Sequence, residues 1–173
     1  LVNLSLLKTA VENSNIEIVK LLLSKPKIDL NFVSTNCQSK MNDEIDSDYD
    51  EEKDRTIKET VLGIAVKLHD TKIVKLLLSY QSIDVNIQVI EESKESTSEK
   101  TPLFIAIENE YDDIVKLLLS NPNINVNMKS SEIRILASYK AQKTPLYKAV
   151  ENKSTEIVKL LQSNPNIDVN DLS

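Results

Sequence analysis

One apolar string returns four times along the chain: Ile18-Val19-Lys20-Leu21-Leu22-Leu23, Ile73 to Leu78, Ile114 to Leu119, and Ile157-Val158-Lys159-Leu160-Leu161. Recurrence of this kind confines the fold to an array of like units. The copies stand 55, 41 and 43 residues apart, an irregular spacing that would also fit four unrelated helices. Two further landmarks decide the matter. An alanine precedes each isoleucine by eight residues (Ala10, Ala65, Ala106, Ala149), and an asparagine follows it by thirteen (Asn31, Asn86, Asn127, Asn170). The landmarks move together, so the unit has a fixed length and the extra residues fall between units. The units run over about 5–31, 60–86, 101–127 and 144–170, with insertions at about 32–59, 87–100 and 128–143.

Within a unit the residues predict two helices. Thr101-Pro102-Leu103 opens the third unit and Thr144-Pro145-Leu146 the fourth. A threonine hydroxyl can accept from an orphan N–H of the first turn, and proline lacks an N–H that would go unsatisfied there anyway. Leu103, Ala106 and Ile107 share one helix face. After the polar break Glu108-Asn109-Glu110, a second helix carries Ile114, Val115, Leu117, Leu118 and Leu119. Its apolar stripe is too wide for a helix packed on one side, so burial between neighbours is expected. Asn121-Pro122 and Asn164-Pro165 should stop the second helices, because the residue before proline disfavours the α region. Ile124-Asn125-Val126-Asn127 alternates and reads as extended. Helices shorter than roughly 12–15 residues are marginal in water, so no unit can stand alone. The alanine column would let stacked helices approach to roughly 8–10 Å.

These residues resemble the ankyrin repeat, whose Thr-Pro-Leu-His-x-Ala signature recurs with a period of about 33 residues. Thr101 to Ala106 and Thr144 to Ala149 match it except at the histidine, Thr60-Val61-Leu62-Gly63-Ile64-Ala65 keeps three of its residues, and Ser5 to Ala10 is weaker. The histidine is replaced by Lys8, Gly63, Phe104 and Tyr147, the connections are long, and Gly63 is the only glycine. Turns that need positive φ are therefore expected to use Asn or Asp, or to give way to longer loops. The resemblance implies an all-α fold: a solenoid of stacked helix-turn-helix units with extended hairpin or loop fingers, forming one domain over 1–173. It also implies a module that binds a partner protein, with the first helices facing a concave groove. Glu12, Lys67, Leu68, Glu108, Asn109, Glu151 and Asn152 are then the groove candidates. A solvated face is the competing reading of these positions, and a structural spacer or regulatory segment of a larger protein is the competing reading of the whole.

The insertions differ in charge. Asp43 to Asp54 holds eight acids and one base, a net −7 against −6 for the whole chain. The acidity belongs to this segment and the rest is close to neutral. A dense like-charge run is expected to be solvated and disordered, although it could steer a basic partner or take a phosphate on Ser47. Asp46-Ser47-Asp48-Tyr49-Asp50 imitates the opening of an EF-hand loop, but Glu51 stands where Gly is required and Ile57 where the bidentate Glu belongs. The second insertion reads as a hairpin arm with a polar tip. The third is basic and partly apolar, with Lys129, Arg134, Lys140 and Lys143 beside Ile133, Ile135, Leu136 and Tyr139. Arginine and aromatic residues are enriched at interface cores, which makes Arg134 and Tyr139 candidate contacts. Packing of these residues on their own solenoid is the alternative.

Chemistry finds little footing. One glycine leaves no phosphate-cradling loop. One histidine (His69) and one cysteine (Cys37) cannot assemble a His/Cys zinc site. No cofactor, metal or catalytic residue is expected, and the net charge of −6 without a basic face disfavours nucleic acid. No apolar run approaches the ~18–20 residues of a membrane span. A single cysteine excludes an internal disulfide framework, so an intracellular, cytoplasmic location is expected; a monomer is expected as well. The chain does not start with Met, which fits an excerpt of a longer protein. Gln162 at the column of Leu23, Leu78 and Leu119 leaves open whether the fourth unit is a terminal cap.

Overall fold

The computed structural model describes residues 2–25, 28–38 and 55–171. The acidic segment Asp43–Asp54, with the EF-hand-like string and Ser47, lies outside them. Each unit is a helix pair: α1 (Val2–Glu12) with α2 (Ile16–Leu23), α3 (Val61–Lys67) with α4 (Thr71–Leu78), α5 (Pro102–Glu108) with α6 (Asp112–Leu119), and α7 (Pro145–Glu151) with α8 (Thr155–Gln162). The first helices stack in one row, α1-α3-α5-α7, and the second helices in a row behind. Thr60, Thr101 and Thr144 cap the first helices as expected, their hydroxyls accepting from the N–H groups of Gly63, Phe104 and Tyr147 at 3.1–3.2 Å. Each second helix ends on a serine, Ser24, Ser79, Ser120 or Ser163, whose hydroxyl donates to the carbonyl three residues back.

One core cluster runs from Leu7 to Leu161. The repeated string supplies Ile73, Ile114 and Ile157, all fully buried, and the alanine column is buried as well. Burying one such isoleucine contributes about 1.5–3 kcal/mol. Gly63 serves close approach: a Cβ there would meet Val89 Cγ2 at 2.6 Å. The helix can lie directly against the finger beside it only because that position carries no side chain.

The expectation of an all-α fold is overturned. Among the described residues the fingers contain six strands, β1 (Ser34–Gln38), β2 (Arg55–Glu59), β3 (Val89–Glu92), β4 (Ser96–Lys100), β5 (Ser130–Arg134) and β6 (Tyr139–Lys143). They form one antiparallel sheet in chain order. Within a finger β3 pairs β4 and β5 pairs β6; between fingers β2 pairs β3 and β4 pairs β5. Geometry explains why separate fingers fuse. Adjacent strands lie about 4.8 Å apart, so a two-stranded finger advances about 9.6 Å along the stack. That matches the roughly 8–10 Å between packed helices, and the edge of one finger falls at hydrogen-bonding distance from the next.

The segment Ile124-Asn125-Val126-Asn127 is not extended. Its second half is a turn in which the Asn125 side-chain oxygen accepts from the Asn127 N–H at 3.1 Å, and the equivalent Asp84 and Asp168 do the same for Asn86 and Asn170. The turn aims the landmark asparagines at the next unit. Asn86 donates to the Asn123 carbonyl and accepts from the Asn125 N–H; Asn31 and Asn127 make the same two-bond clamp on Ser82 and Asp84 and on Asn166 and Asp168, all at 2.7–2.9 Å.

Among the described residues, positive φ is carried by neither Asn nor Asp. The turn between paired helices places Ser14, His69, Glu110 and Lys153 at φ 51–59°, each just past the end of its first helix. Their side chains cost roughly 1–2 kcal/mol in the left-handed region, whereas glycine gives up roughly 0.5–1 kcal/mol of chain entropy. Glu110→Gly and Lys153→Gly should each raise the unfolding free energy by about 0.5–1 kcal/mol. Urea titration measures this, and a loss of stability in both variants would refute the strain.

Candidate functional site: the groove between helices and finger sheet

Side chains alternate across a strand, so the sheet shows one set of residues to the first helices. The register opposes Glu91 to Ser98, Ser98 to Glu132 and Glu132 to Ala141 across β3 to β6. With the last turns of α3 and α5, this face encloses a cleft of about 230 Å³ lined by Lys67, Val89, Glu91, Ser98, Lys100, Ile105, Glu108 and Asn109. A second hollow of about 70 Å³ continues it toward α7, between Lys100, Phe104, Glu108, Ser130, Glu132, Lys143 and Lys148. The floor is apolar (Val89, Phe104 and Ile105 are buried) and the walls are charged.

The wall charges are mutually paired. Lys100 Nζ donates to Glu108 at 2.7 Å, and Lys143 and Lys148 donate to Glu151 at 2.7 and 3.1 Å. Lys67 donates to Glu59 at 3.1 Å and to Glu91 at 3.0 Å, and Arg55 donates to Glu91 as well. The same construction repeats in three units: the last residue of a strand pairs with the last residue of the helix that follows, eight positions on. Glu59–Lys67 inverts the polarity of Lys100–Glu108 and Lys143–Glu151.

Burial works against the charge on Lys67, but hydrogen bonds to Glu91 and Glu59 outweigh it and hold the ammonium above its ordinary value. Burial would likewise raise Glu91, yet the bonds from Lys67 and Arg55 bring its carboxyl below the ordinary range. Glu151 is lowered by Lys143 and then Lys148, and Lys143 is raised chiefly by Glu151.

The groove candidates thus have distinct places. Lys67, Glu108 and Asn109 line the cleft. Glu151 is held by two lysines, and Glu12 pairs with Lys8 at 3.6 Å. Leu68 is half exposed. Asn152 has a structural role, donating to the Ile107 carbonyl at 2.9 Å and so closing the end of α5. Arg134 and Tyr139 meet at the tip of the third finger, the guanidinium 5.9 Å from the ring centroid, beside an 83% exposed Leu136. Reading the groove from the helices alone misses its sheet wall: Glu59, Glu91, Ser98, Lys100 and Lys143. The signal for three of them is present as opposite charges eight residues apart in the same register.

A polar cluster sits between helices of units two and three. The His69 ring stacks on Tyr111 with centroids 3.9 Å apart, its Nε2 lies 2.9 Å from Asp113, and the Thr71 hydroxyl donates to the other Asp113 oxygen at 2.5 Å. The Thr71 hydroxyl and then His69 lower the Asp113 carboxyl from 3.8 to about 2. Its contribution to stability is full above pH 3.8 and is lost as pH falls through about 2. Carboxyl-carbon NMR should give that midpoint, and Thr71→Val should move it up. An Asp113 midpoint of 3.8 in the unmodified protein would refute the arrangement. Among the described residues no cluster of His, Cys, Asp and Glu is placed to hold a metal ion, and no helix is long and apolar enough to cross a membrane.

Stacked helix pairs, clamped unit to unit and flanked by a sheet of fingers, define a repeat solenoid. The chain matches ankyrin repeats (three copies) over residues 3–130 and a further ankyrin repeat over 142–172. It belongs to the ankyrin-repeat family. No curated protein shows a significant match to it. Ankyrin repeats are generally protein–protein interaction modules, typically without enzymatic activity.

Proposed function

We propose that the chain is a non-catalytic binding module that holds a partner protein in the groove between its first helices and its finger sheet, with the Arg134–Tyr139 tip as a second contact. The cleft at Lys67, Glu91, Lys100 and Glu108 carries this reading. It joins an apolar floor to walls whose donors and acceptors are already oriented by their mutual pairing, so a partner meets a pre-organised surface. The spacer reading draws on the same pairing, since charges that satisfy one another need no partner.

A charge swap separates the two. Reversing Glu108 alone would leave Lys100 facing another lysine and disturb the fold. Lys100→Glu with Glu108→Lys keeps the pair and inverts the pattern that a partner reads. The swapped protein should match the original in thermal unfolding and lose the partners captured by the original. An unchanged partner set would remove the groove from the interface, and Leu136→Ser then tests the fingertip in the same assay. Partners that survive both changes would favour the spacer.

A further inference from the structure

We infer that the partner enters the cleft between the second and third units with an acidic side chain, whose carboxylate is taken by Lys67, Ser98 and Lys100. This rests on the groove reading and names what the groove selects. The cleft is internal to the array. The ends of α3 and α5 form one wall, and β3 and β4, each paired on both edges, form the other. Polarity singles it out. At the last position of the first helix the other units carry Glu12, Glu108 and Glu151, and the second carries Lys67. The strand that ends beside it carries Lys100. The inverted pair therefore brings one ammonium from the helix wall and another from the sheet wall to the same cleft.

Hydrogen-bonding capacity decides the sign of the ligand. An ammonium has three N–H groups. Lys100 uses one, on Glu108, and Lys67 uses two, on Glu59 and Glu91. Three N–H groups of the two lysines remain to be met. The Ser98 hydroxyl lines the same cleft and makes no hydrogen bond among the described residues. It stands opposite Glu91 across β3 and β4. The acids are more fully used. Both oxygens of Glu91 are taken, one by Lys67 and one by Arg55. One oxygen of Glu108 and the amide oxygen of Asn109 are the acceptors left over. Unspent donors outnumber unspent acceptors, so the ligand that completes the cleft brings acceptors. A carboxylate brings two oxygens and a charge, and charge-assisted bonds are roughly twice as strong as neutral ones. The apolar floor at Val89 and Ile105 suits apolar neighbours on either side of that acid.

Peptides selected by the intact chain from a random display library test this. They should carry Asp or Glu between apolar residues, and their binding should move the amide resonances of Ser98, Lys100 and Asn109. Replacing the acid by its amide should weaken binding about tenfold. Lys100→Gln should also weaken it, and Glu108→Gln should strengthen it by freeing the Lys100 ammonium. Both side chains are partly exposed, so neither change should cost the fold, and thermal unfolding verifies that. Selected peptides that move these resonances but are basic, or bind equally well as amides, overturn the acidic anchor and leave the groove reading standing. So do reversed effects of the two glutamines. Peptides that move none of these resonances overturn both readings.

Discussion

Lys67→Ala is expected to lower the unfolding free energy by about 2–3 kcal/mol, a large loss for a side chain on a groove wall. The cause is what stays behind. Glu59 is only 7% exposed and takes its charge-assisted bond from Lys67; without it a nearly buried carboxylate has lost its counter-ion, while Glu91 keeps Arg55. Removing one member of a fully buried pair costs roughly 3–5 kcal/mol, reduced here because Lys67 is partly solvated. Two controls distinguish this from lost packing. Glu59→Gln in the Lys67→Ala background should recover most of the loss, since a neutral amide replaces the stranded charge.

Acid provides the second control. Glu91 sits below its ordinary 4.5, so its contribution is present above that value and is lost as pH falls through the lowered folded value. Lys67 sits above its ordinary 10.5, so its contribution is present below that value and is lost as pH rises through the raised one. The network is at full strength across neutral pH. The difference between variant and parent should be largest there and shrink in acid, as Glu91 protonates. A loss that is independent of pH would point to packing instead.

Ser98→Pro should be the most damaging change in the fingers, costing about 3 kcal/mol or more. Ser98 is paired on both sides, to Glu91 in β3 and to Glu132 in β5. Whichever strand receives its N–H, proline removes that bond and pushes its ring into the neighbour. Because β4 is what joins the second finger to the third, the break should spread. Amide exchange should lose protection in Val89–Glu92 and Ser130–Arg134 together, while the buried helices keep theirs. Ser98→Thr, which suits a strand, should leave exchange unchanged. Protection lost in β4 alone would mean that the fingers are independent hairpins.

The helix stack was legible because its signal is periodic and buried. Ala106, Ile114 and Asn127 fall at fixed offsets, and each offset has one physical role, respectively close approach, core and clamp. The strands left a weaker trace: the second insertion reads as a hairpin arm, but nothing in it announces a continuous sheet. Ser96-Thr97-Ser98-Glu99-Lys100 and Tyr139-Lys140-Ala141-Gln142-Lys143 are polar on both faces, so no alternation of apolar and polar residues announces them. What makes them strands is the match between finger width and helix spacing, a property of the assembled stack and of no single segment. The same cause divides the groove. Lys67, Glu108 and Glu151 follow from helix register, whereas Lys100, Lys143 and Glu91 become wall residues only once the sheet exists. Asn152 carries a contact that register does not announce: its amide donates to the Ile107 carbonyl at the end of α5. Residue type is a poor guide to the positive-φ positions, because Ser14, His69, Glu110 and Lys153 share a location without sharing a chemistry.

The asparagine clamps and the fused sheet also bear on how the array deforms under load. A stack of helix pairs joined along a single row can twist and flex like a coil spring. Here each junction between the second, third and fourth units is fastened at the Asn86 or Asn127 clamp and again along a ladder of paired strands. Winding or stretching the stack would have to slide β2 along β3 and β4 along β5, loading many backbone bonds at once. Such an array behaves less like a spring than like a hinged strip stiffened along one border, able to bow away from that border but reluctant to twist.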